Sequence, residues 1–216
     1  MAQINGLIEA ACATAVITFA RVGTGVRGEW RGCVPDARPR VYFANHRSHA
    51  DFVLICAVLP RPLRRLTRPV AGADYWLRGR IRRFLGQRVF RAVLIDRNPS
   101  TCDRDPIAIM AAVLDEKGSL ILFPEGTRNT GEELLLPFKS GLYHLAMARP
   151  NVELVPVWIE NLNRVMPKGE YVPIPLLCTV TLGPPIAVHT SEDKAAFLCR
   201  SRNALLALAP SRELDQ

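Results

Sequence analysis

The run FANHRSHADF, Phe43 to Phe52, places His46, His49 and Asp51 within six positions of a chain that has four histidines. An imidazole that donates one ring N–H to a carboxylate has its tautomer set, and its other nitrogen is free to act as a base near neutral pH. His46 and Asp51 are five positions apart, a spacing that a continuous helix does not stack on one face. A strand-turn-helix junction is needed to bring them together. Ser48 lies between them without a G-x-S-x-G elbow, so the hydroxyl to be activated has to come from a substrate. A purely structural alternative makes Ser48 an N-cap and Asp51 the third helical residue of a capping box ahead of FVLICAVL, which leaves His46 unexplained. The same residues also spell H-x-x-H-x-D. His144 and His189 stand in unrelated contexts, so no third imidazole is at hand and no metal is expected, and His49 is expected to be exposed or to line the site.

A second run, LILFPEGTRN from Leu120 to Asn129, ends an apolar strand in a glycine turn carrying Glu125, Gly126, Thr127 and Arg128. Backbone N–H groups, a threonine hydroxyl and a guanidinium at a strand exit can converge on a phosphate. The bland reading is a surface turn with charges on it. The two runs gain meaning together if one sheet edge carries both.

The element pattern supports such an edge. RVYFAN, RPVAG, RAVLID, SLILFP, ELVPVWI and LCTVTLG read as strands, separated by helical stretches from His49 to Leu59, from Tyr75, from Pro106 to Glu116, from Lys139 to Ala148 and from Ser191 to Leu208. Alternation of this kind predicts an α/β fold, a mainly parallel central sheet flanked by helices on both faces. Loops that follow parallel strands are where such folds place ligands. Residues 1–38 are expected to form an N-terminal membrane-interfacial helix and a connector, TGVRGEWRGCVPDARPR, and residues 39–216 the globular domain. Within that connector GTGVRG fits G-x-G-x-x-G, but it follows a helix and leads into no helix, so a dinucleotide site is not expected.

Length fits one sizeable domain. Lys and Arg number 28 against 20 Asp and Glu, a net charge of +8, which favours acidic partners such as anionic lipid, an acidic carrier protein or a phosphorylated substrate. Much of the excess sits in RPLRRLTRP and RGRIRRFLGQRVFR, where interleaved apolar residues suit a membrane surface. No finger, RNP-like or basic-zipper signature accompanies it, so nucleic acid is not expected as a partner. Six dispersed cysteines without a C-x-x-C fit a reduced, cytoplasmic setting. The apolar segment Ile4–Ala20 has no preceding Lys or Arg and reads as interfacial or packed rather than spanning. Arg21, Arg27 and Arg31 follow it and would hold the rest of the chain on the cytoplasmic side.

Taken in order, these runs make the chain resemble the glycerolipid acyltransferases, in particular the 1-acylglycerol-3-phosphate (lysophosphatidic acid) acyltransferases. NHRSHAD matches the family's H-x4-D block with His46 and Asp51, AVLIDR its second block ending in Arg97, FPEGTR its third, and LVPVWI its fourth around Pro156. PFKSGLYHLA, Pro137 to Ala146, looks like the segment that usually follows the third. The resemblance implies that His46, oriented by Asp51, acts as general base on the acceptor's free hydroxyl, which attacks an acyl thioester. It also implies that Arg97, Glu125, Gly126, Thr127 and Arg128 hold the acceptor phosphate. The product would be phosphatidic acid, the donor acyl-CoA or acyl-carrier protein, no cofactor would be needed, and the enzyme would be peripheral or monotopic at the cytoplasmic face of the membrane. Acylation of another lysolipid, such as a lyso-ornithine lipid or a lysophospholipid, is the nearest alternative; a non-catalytic basic membrane-binding protein is another, which predicts the arginines but not the His46–Asp51 pair. Two features depart from the family pattern. PVAGADYW lacks the lysines that often follow the H-x4-D helix, leaving Arg68 as the nearest substitute, and Asn129 stands where serine is frequent.

Overall fold

The five residues Arg40–Ala44 (β2) are all buried, and continuous burial marks a strand covered on both faces. Its side chains alternate between two cores, as the two-residue period requires. Tyr42 and Ala44 join a cluster with Ile17, Phe52, Leu54 and Ile55, whereas Val41 and Phe43 join one with Met110, Leu142, Leu145 and Phe197. The computed structural model describes residues 2–96, 105–160, 177–189 and 191–210. In chain order the elements are α1 (Ala2–Thr24), β1 (Arg27–Trp30), β2, α2 (Asp51–Val58), α3 (Arg61–Leu66), β3 (Thr67–Gly72), α4 (Ala73–Trp76), α5 (Arg80–Arg83), a π-helical turn (Phe84–Val89), β4 (Val93–Ile95), α6 (Pro106–Asp115), β5 (Ser119–Leu122), α7 (Gly141–Ala148), β6 (Glu153–Glu160), β7 (Thr179–Leu182) and α8 (Lys194–Leu206).

The seven strands form one sheet in the order β1-β7-β6-β2-β5-β3-β4. All neighbours run parallel except β6 and β7. This is the expected α/β architecture, with α1 and α2 over one face and α6, α7 and α8 over the other. Because β2, β3, β4 and β5 point the same way, the chain leaves all four at one edge. The loops that carry FANHRSHADF and FPEGTRN therefore meet there.

Two expectations about elements change. The passage expected as a connector contributes β1, which pairs with β7 from Arg27↔Thr179 to Trp30↔Leu182. Its four residues, RGEW, show no apolar alternation, and a partner some 150 residues away leaves no local signal. The glycines of GTGVRG serve this strand: Gly25 takes φ +55°, and a Cβ on Gly28 would lie 2.8 Å from Val58 Cβ. The helix expected from Tyr75 is instead broken into α4, α5 and the π turn, with Gly79 at φ +87° between the first two. A positive φ is accessible to glycine at no steric cost and interrupts a right-handed helix.

Helix α1 runs longer than Ile4–Ala20 and lies along α2 and the π turn. Ile17 is buried against them and Arg21 Nε donates to Ala57 O at 2.9 Å, capping a carbonyl at the end of α2. Leu7, Phe19 and Val22 on the other side of the helix are each more than 70% exposed. Gly6–Thr24 is apolar and long enough to cross a membrane.

Candidate active site

Asp51 opens α2 with a fully buried side chain, and its Oδ2 accepts three hydrogen bonds: from His46 Nδ1 at 2.9 Å, Arg47 N at 2.7 Å and Ser48 N at 2.9 Å. The carboxylate folds the whole turn between β2 and α2 around itself. Since Nδ1 faces an acceptor, the proton sits on Nδ1 and Nε2 carries the lone pair. His46 lines the cleft described below and stacks on Phe123, ring centroids 4.1 Å apart and planes 21° from parallel. Packing and one hydrogen bond together fix both the tautomer and the ring plane.

The capping box forms only in part. Asp51 reaches back to Ser48 N as the box requires, but the helix starts at Asp51 with Ala50 as its N-cap, and Ser48 Oγ accepts from Ala50 N at 3.2 Å rather than capping the third helical residue. The same Asp51 oxygen that makes the box's bond also holds His46 and Arg47.

The second run is bonded directly to the first. Glu125, 1% exposed, accepts from His46 N through Oε1 at 2.7 Å and from Leu136 N through Oε2 at 2.9 Å. Asn129 N donates to His46 O at 2.7 Å, so both backbone polar groups of His46 are held by residues of FPEGTRN. Burial pushes the Glu125 carboxyl above its ordinary range, while the Leu136 and His46 amides and the charge of His46 pull it back. With both oxygens on backbone amides, Glu125 is turned into the protein; Gly126, Thr127 and Arg128 line the cleft and Glu125 does not. Gly126 N donates to Phe123 O at 3.0 Å, closing the turn with Gly126 at φ +70°, and a Cβ there would come within 3.1 Å of Lys139 Cγ. Arg97 lies outside the described residues.

The cleft has a volume of about 370 Å³. His46 and Gly126–Arg128 form one wall; Tyr75, Trp76 and Asp74 form the facing one, with Ile95 and Leu122 at strand ends beneath. His49 also lines it, stacked on Tyr75 with centroids 4.1 Å apart and planes 12° from parallel, and the Arg82 guanidinium lies 4.7 Å from the centroid of the same tyrosine ring. Desolvation pushes His49 down to about 4, helped by its neighbours Arg128, His46 and Arg82 and opposed by Asp51. His49 is therefore neutral at physiological pH. Among the described residues no group of three or more His, Cys, Asp or Glu is placed to hold a metal ion.

Several residues of the site carry no obvious signal in the sequence. Asn45 pairs with Ile159 as a backbone residue would, Nδ2 to Ile159 O at 2.9 Å and Oδ1 from Ile159 N at 2.8 Å, which extends the β2–β6 ladder past the strand end. Asn129 is buried, donates to Glu133 O at 2.6 Å and accepts from Gly131 N at 3.1 Å. A serine hydroxyl is shorter and lacks the second donor and acceptor arms, so the asparagine is explained by the loop it folds. Arg47 Nη2 donates to Glu133 O at 3.0 Å in the same loop. Arg68 sits near the start of β3, away from the cleft, with Nε on Arg91 O at 2.8 Å. It does not stand in for a lysine at the site.

A family model described as Acyltransferase matches residues 29–160. Over 196 residues the chain is 31% identical to human 1-acyl-sn-glycerol-3-phosphate acyltransferase alpha, covering 84% of this chain and 63% of that protein. It is 33% identical over 138 residues to the 1-acyl-sn-glycerol-3-phosphate acyltransferase of Escherichia coli (strain K12), covering 58% of this chain and 51% of that one. The matches thus span between half and two thirds of these relatives' length. The crystal structure of the 1-acyl-sn-glycerophosphate (LPA) acyltransferase PlsC from Thermotoga maritima superposes with a TM-score of 0.67 at 19% identity, covering 92% of this chain and 81% of that one, a likeness of fold.

Proposed function

The chain belongs to the acyltransferase family, and on that premise we propose that it transfers an acyl group from an acyl thioester, acyl-CoA or acyl-carrier protein, to the free hydroxyl of 1-acylglycerol-3-phosphate, forming phosphatidic acid. The observation that carries the reading is the 2.9 Å bond from His46 Nδ1 to Asp51 Oδ2 on the wall of a cleft whose same side is lined by Gly126, Thr127 and Arg128. His46 Nε2 takes the proton from the acceptor hydroxyl as its oxygen attacks the thioester carbonyl carbon. The tetrahedral intermediate collapses, the C–S bond breaks, and the leaving thiolate takes the proton back from the imidazolium. Asp51 stays ionised and stabilises the positive ring between those two transfers. The Arg128 fork and the turn N–H groups suit the acceptor phosphate, with Glu125 supporting the turn from behind; Arg97 is assigned to the same phosphate by the resemblance alone.

The location follows the same reasoning. The exposed apolar side of α1 and the arginines of Arg78–Arg88 suit a peripheral or monotopic enzyme at the cytoplasmic face, where its lipid acceptor resides. A lysolipid with a cationic headgroup is the second reading. Asp74, an exposed carboxylate that lines the same cleft as Arg128, repels a phosphate dianion but pairs with an ammonium. The deciding experiment is a matrix of purified protein with acyl-CoA or acyl-carrier protein against a panel of lysolipids, with products identified by mass spectrometry. Phosphatidic acid as the dominant product supports the first reading; dominant acylation of an amine-bearing lysolipid replaces it with the second.

A further inference from the structure

A second cavity, about 400 Å³, lies at the other edge of the sheet. It opens between α1 and the starts of β3 and β4, lined by Thr67, the first residue of β3, and by Arg91, just ahead of β4. The cleft lies toward the other ends of those parallel strands and takes in Pro69 to Gly72 of β3, so along this strand the two spaces are two residues, or about 7 Å, apart. Their walls touch through aromatic rings: Phe90 closes the second cavity from inside and meets Phe52, which lines the cleft, edge to face at 4.9 Å.

Five arginines line this cavity, Arg61, Arg64, Arg65, Arg88 and Arg91, against one carboxylate, Glu9. Glu9 is already used, since Arg88 Nη2 holds its Oε1 at 2.6 Å. Arg64 Nη1 donates to Cys56 O at 3.4 Å, and Arg91 Nη2 donates to Arg65 O. Carbonyl capping at the ends of α2 and α3 accounts for Arg64 and Arg91, because the C-terminus of a helix favours a cation. It does not account for Arg61 and Arg65 converging on the same space. Desolvation and then the charges of Arg21, Arg61 and Arg65, opposed by Cys56, hold the Arg64 guanidinium below its ordinary range. The remaining wall is mostly apolar, built from Ala10, Ala13 and Ile17 of α1 with Val89 and Phe90, and interrupted by Thr14 and Thr67.

A guanidinium cluster beside an apolar wall matches a phosphate attached to hydrocarbon. We propose that this cavity is a second lipid site, in which Arg61, Arg64, Arg65 and Arg91 hold the phosphate of an anionic phospholipid and the α1 wall holds the start of its acyl chains. The proposal does not depend on which reaction the cleft runs. Helix α1 exposes Leu7 and Phe19 on the side away from the protein, so a lipid seated here would tie the protein to the bilayer through a headgroup as well as through the helix. A free phosphate shares the headgroup chemistry but makes no use of the apolar wall.

Titration of the full-length protein with monomeric short-chain phosphatidylglycerol, a phosphodiester that is neither the proposed acceptor nor its product, tests the site, with inorganic phosphate as the second arm. Saturable binding of the lipid is expected, with phosphate weaker by at least tenfold. The R64Q/R65Q double substitution should weaken lipid binding by about tenfold or more, as expected for losing charge-assisted contacts. Ala13→Phe, which fills the apolar side and leaves every charge in place, should do the same, and it carries the test if circular dichroism shows that the double variant is unfolded. Arg31→Gln, at the far side of β1, should change nothing. Equal lipid affinity in wild type and Ala13→Phe overturns the proposal, as does the absence of saturable binding. Phosphate binding as tightly as the lipid would make this an inorganic anion site and overturn it as well.

Discussion

The two sides of the cleft are built on opposite principles. On the His46 side, the carboxylates of Asp51 and Glu125 and the side-chain amide of Asn129 are buried and together engage seven polar partners at 2.6 to 3.1 Å, and Asn129 N donates to His46 O at 2.7 Å. On the facing side, α4 lines the cleft, and it and the α5 and π-turn pieces that follow it are short, bury little, and expose Arg78, Arg80, Arg82 and Arg83. The first side fixes one imidazole, where a small misplacement costs a large factor in rate. The second is held by ring stacking on Tyr75 and leaves its charges to solvent, which suits contact with something large and variable in shape. Rigidity is concentrated where a proton moves.

The largest expected effect comes from removing the base. His46→Ala should lower kcat by roughly 10² to 10⁴ with KM little changed, measured by steady-state kinetics at saturating donor; an active variant would end the proposed mechanism. Next is Glu125→Ala, which leaves His46 N and Leu136 N buried without acceptors, each costing about 1–3 kcal/mol. Denaturant unfolding should show the loss, and Glu125→Gln, which retains one acceptor oxygen, should recover part of it. If Glu125→Ala were as stable as wild type and only raised the acceptor KM, Glu125 would be a binding residue instead of a support and the contrast between the two sides would weaken.

Arg128→Ala should raise KM for the phosphorylated acceptor about ten- to a hundredfold, with the thioester KM near wild type and kcat largely kept. Arg128→Lys should recover only part, having the charge without the planar fork. The smallest effect belongs to the facing side. His49 is held down to about 4 in the folded protein against an unfolded value near 6.5. The unfolded chain therefore binds more protons between those values, so the contribution of His49 is intact above about pH 6.5 and is lost as pH falls toward 4. His49→Phe preserves the stack on Tyr75 without titrating, and thermal unfolding followed from pH 7 to 4 should show a shallower decline than in wild type. An unchanged slope would mean that His49 is not desolvated in the folded protein.

Much of the positioned side was legible before folding. The His46–Asp51 spacing demands a strand-turn-helix junction, and β2 followed by α2 supplies one. FPEGTR was expected as a single phosphate-binding run, whereas its residues divide: Glu125 faces inward and Gly126–Arg128 face the cleft. That division is invisible in a linear string because Glu125's partners, His46 and Leu136, are 79 and 11 positions away. The facing side was less legible. A basic, interleaved stretch has the same composition whether it makes one helix or three pieces, and Gly79 decides that by adopting a positive φ.

By itself the sequence determined the alternation of strands and helices, hence a parallel sheet with its loops at one edge, and it named the imidazole and carboxylate able to act as a pair. These follow from periodicity and side-chain chemistry, which are local. Only the tertiary structure decided that β1 joins the sheet across from β7, that Asn129 folds a loop instead of meeting a ligand, that His49 leaves the His46–Asp51 pair for Tyr75, and that five arginines from α3 and the approach to β4 meet under α1. Each depends on pairings between residues far apart in the chain. Burial and hydrogen-bond satisfaction choose among such pairings only once the sheet has brought the segments together.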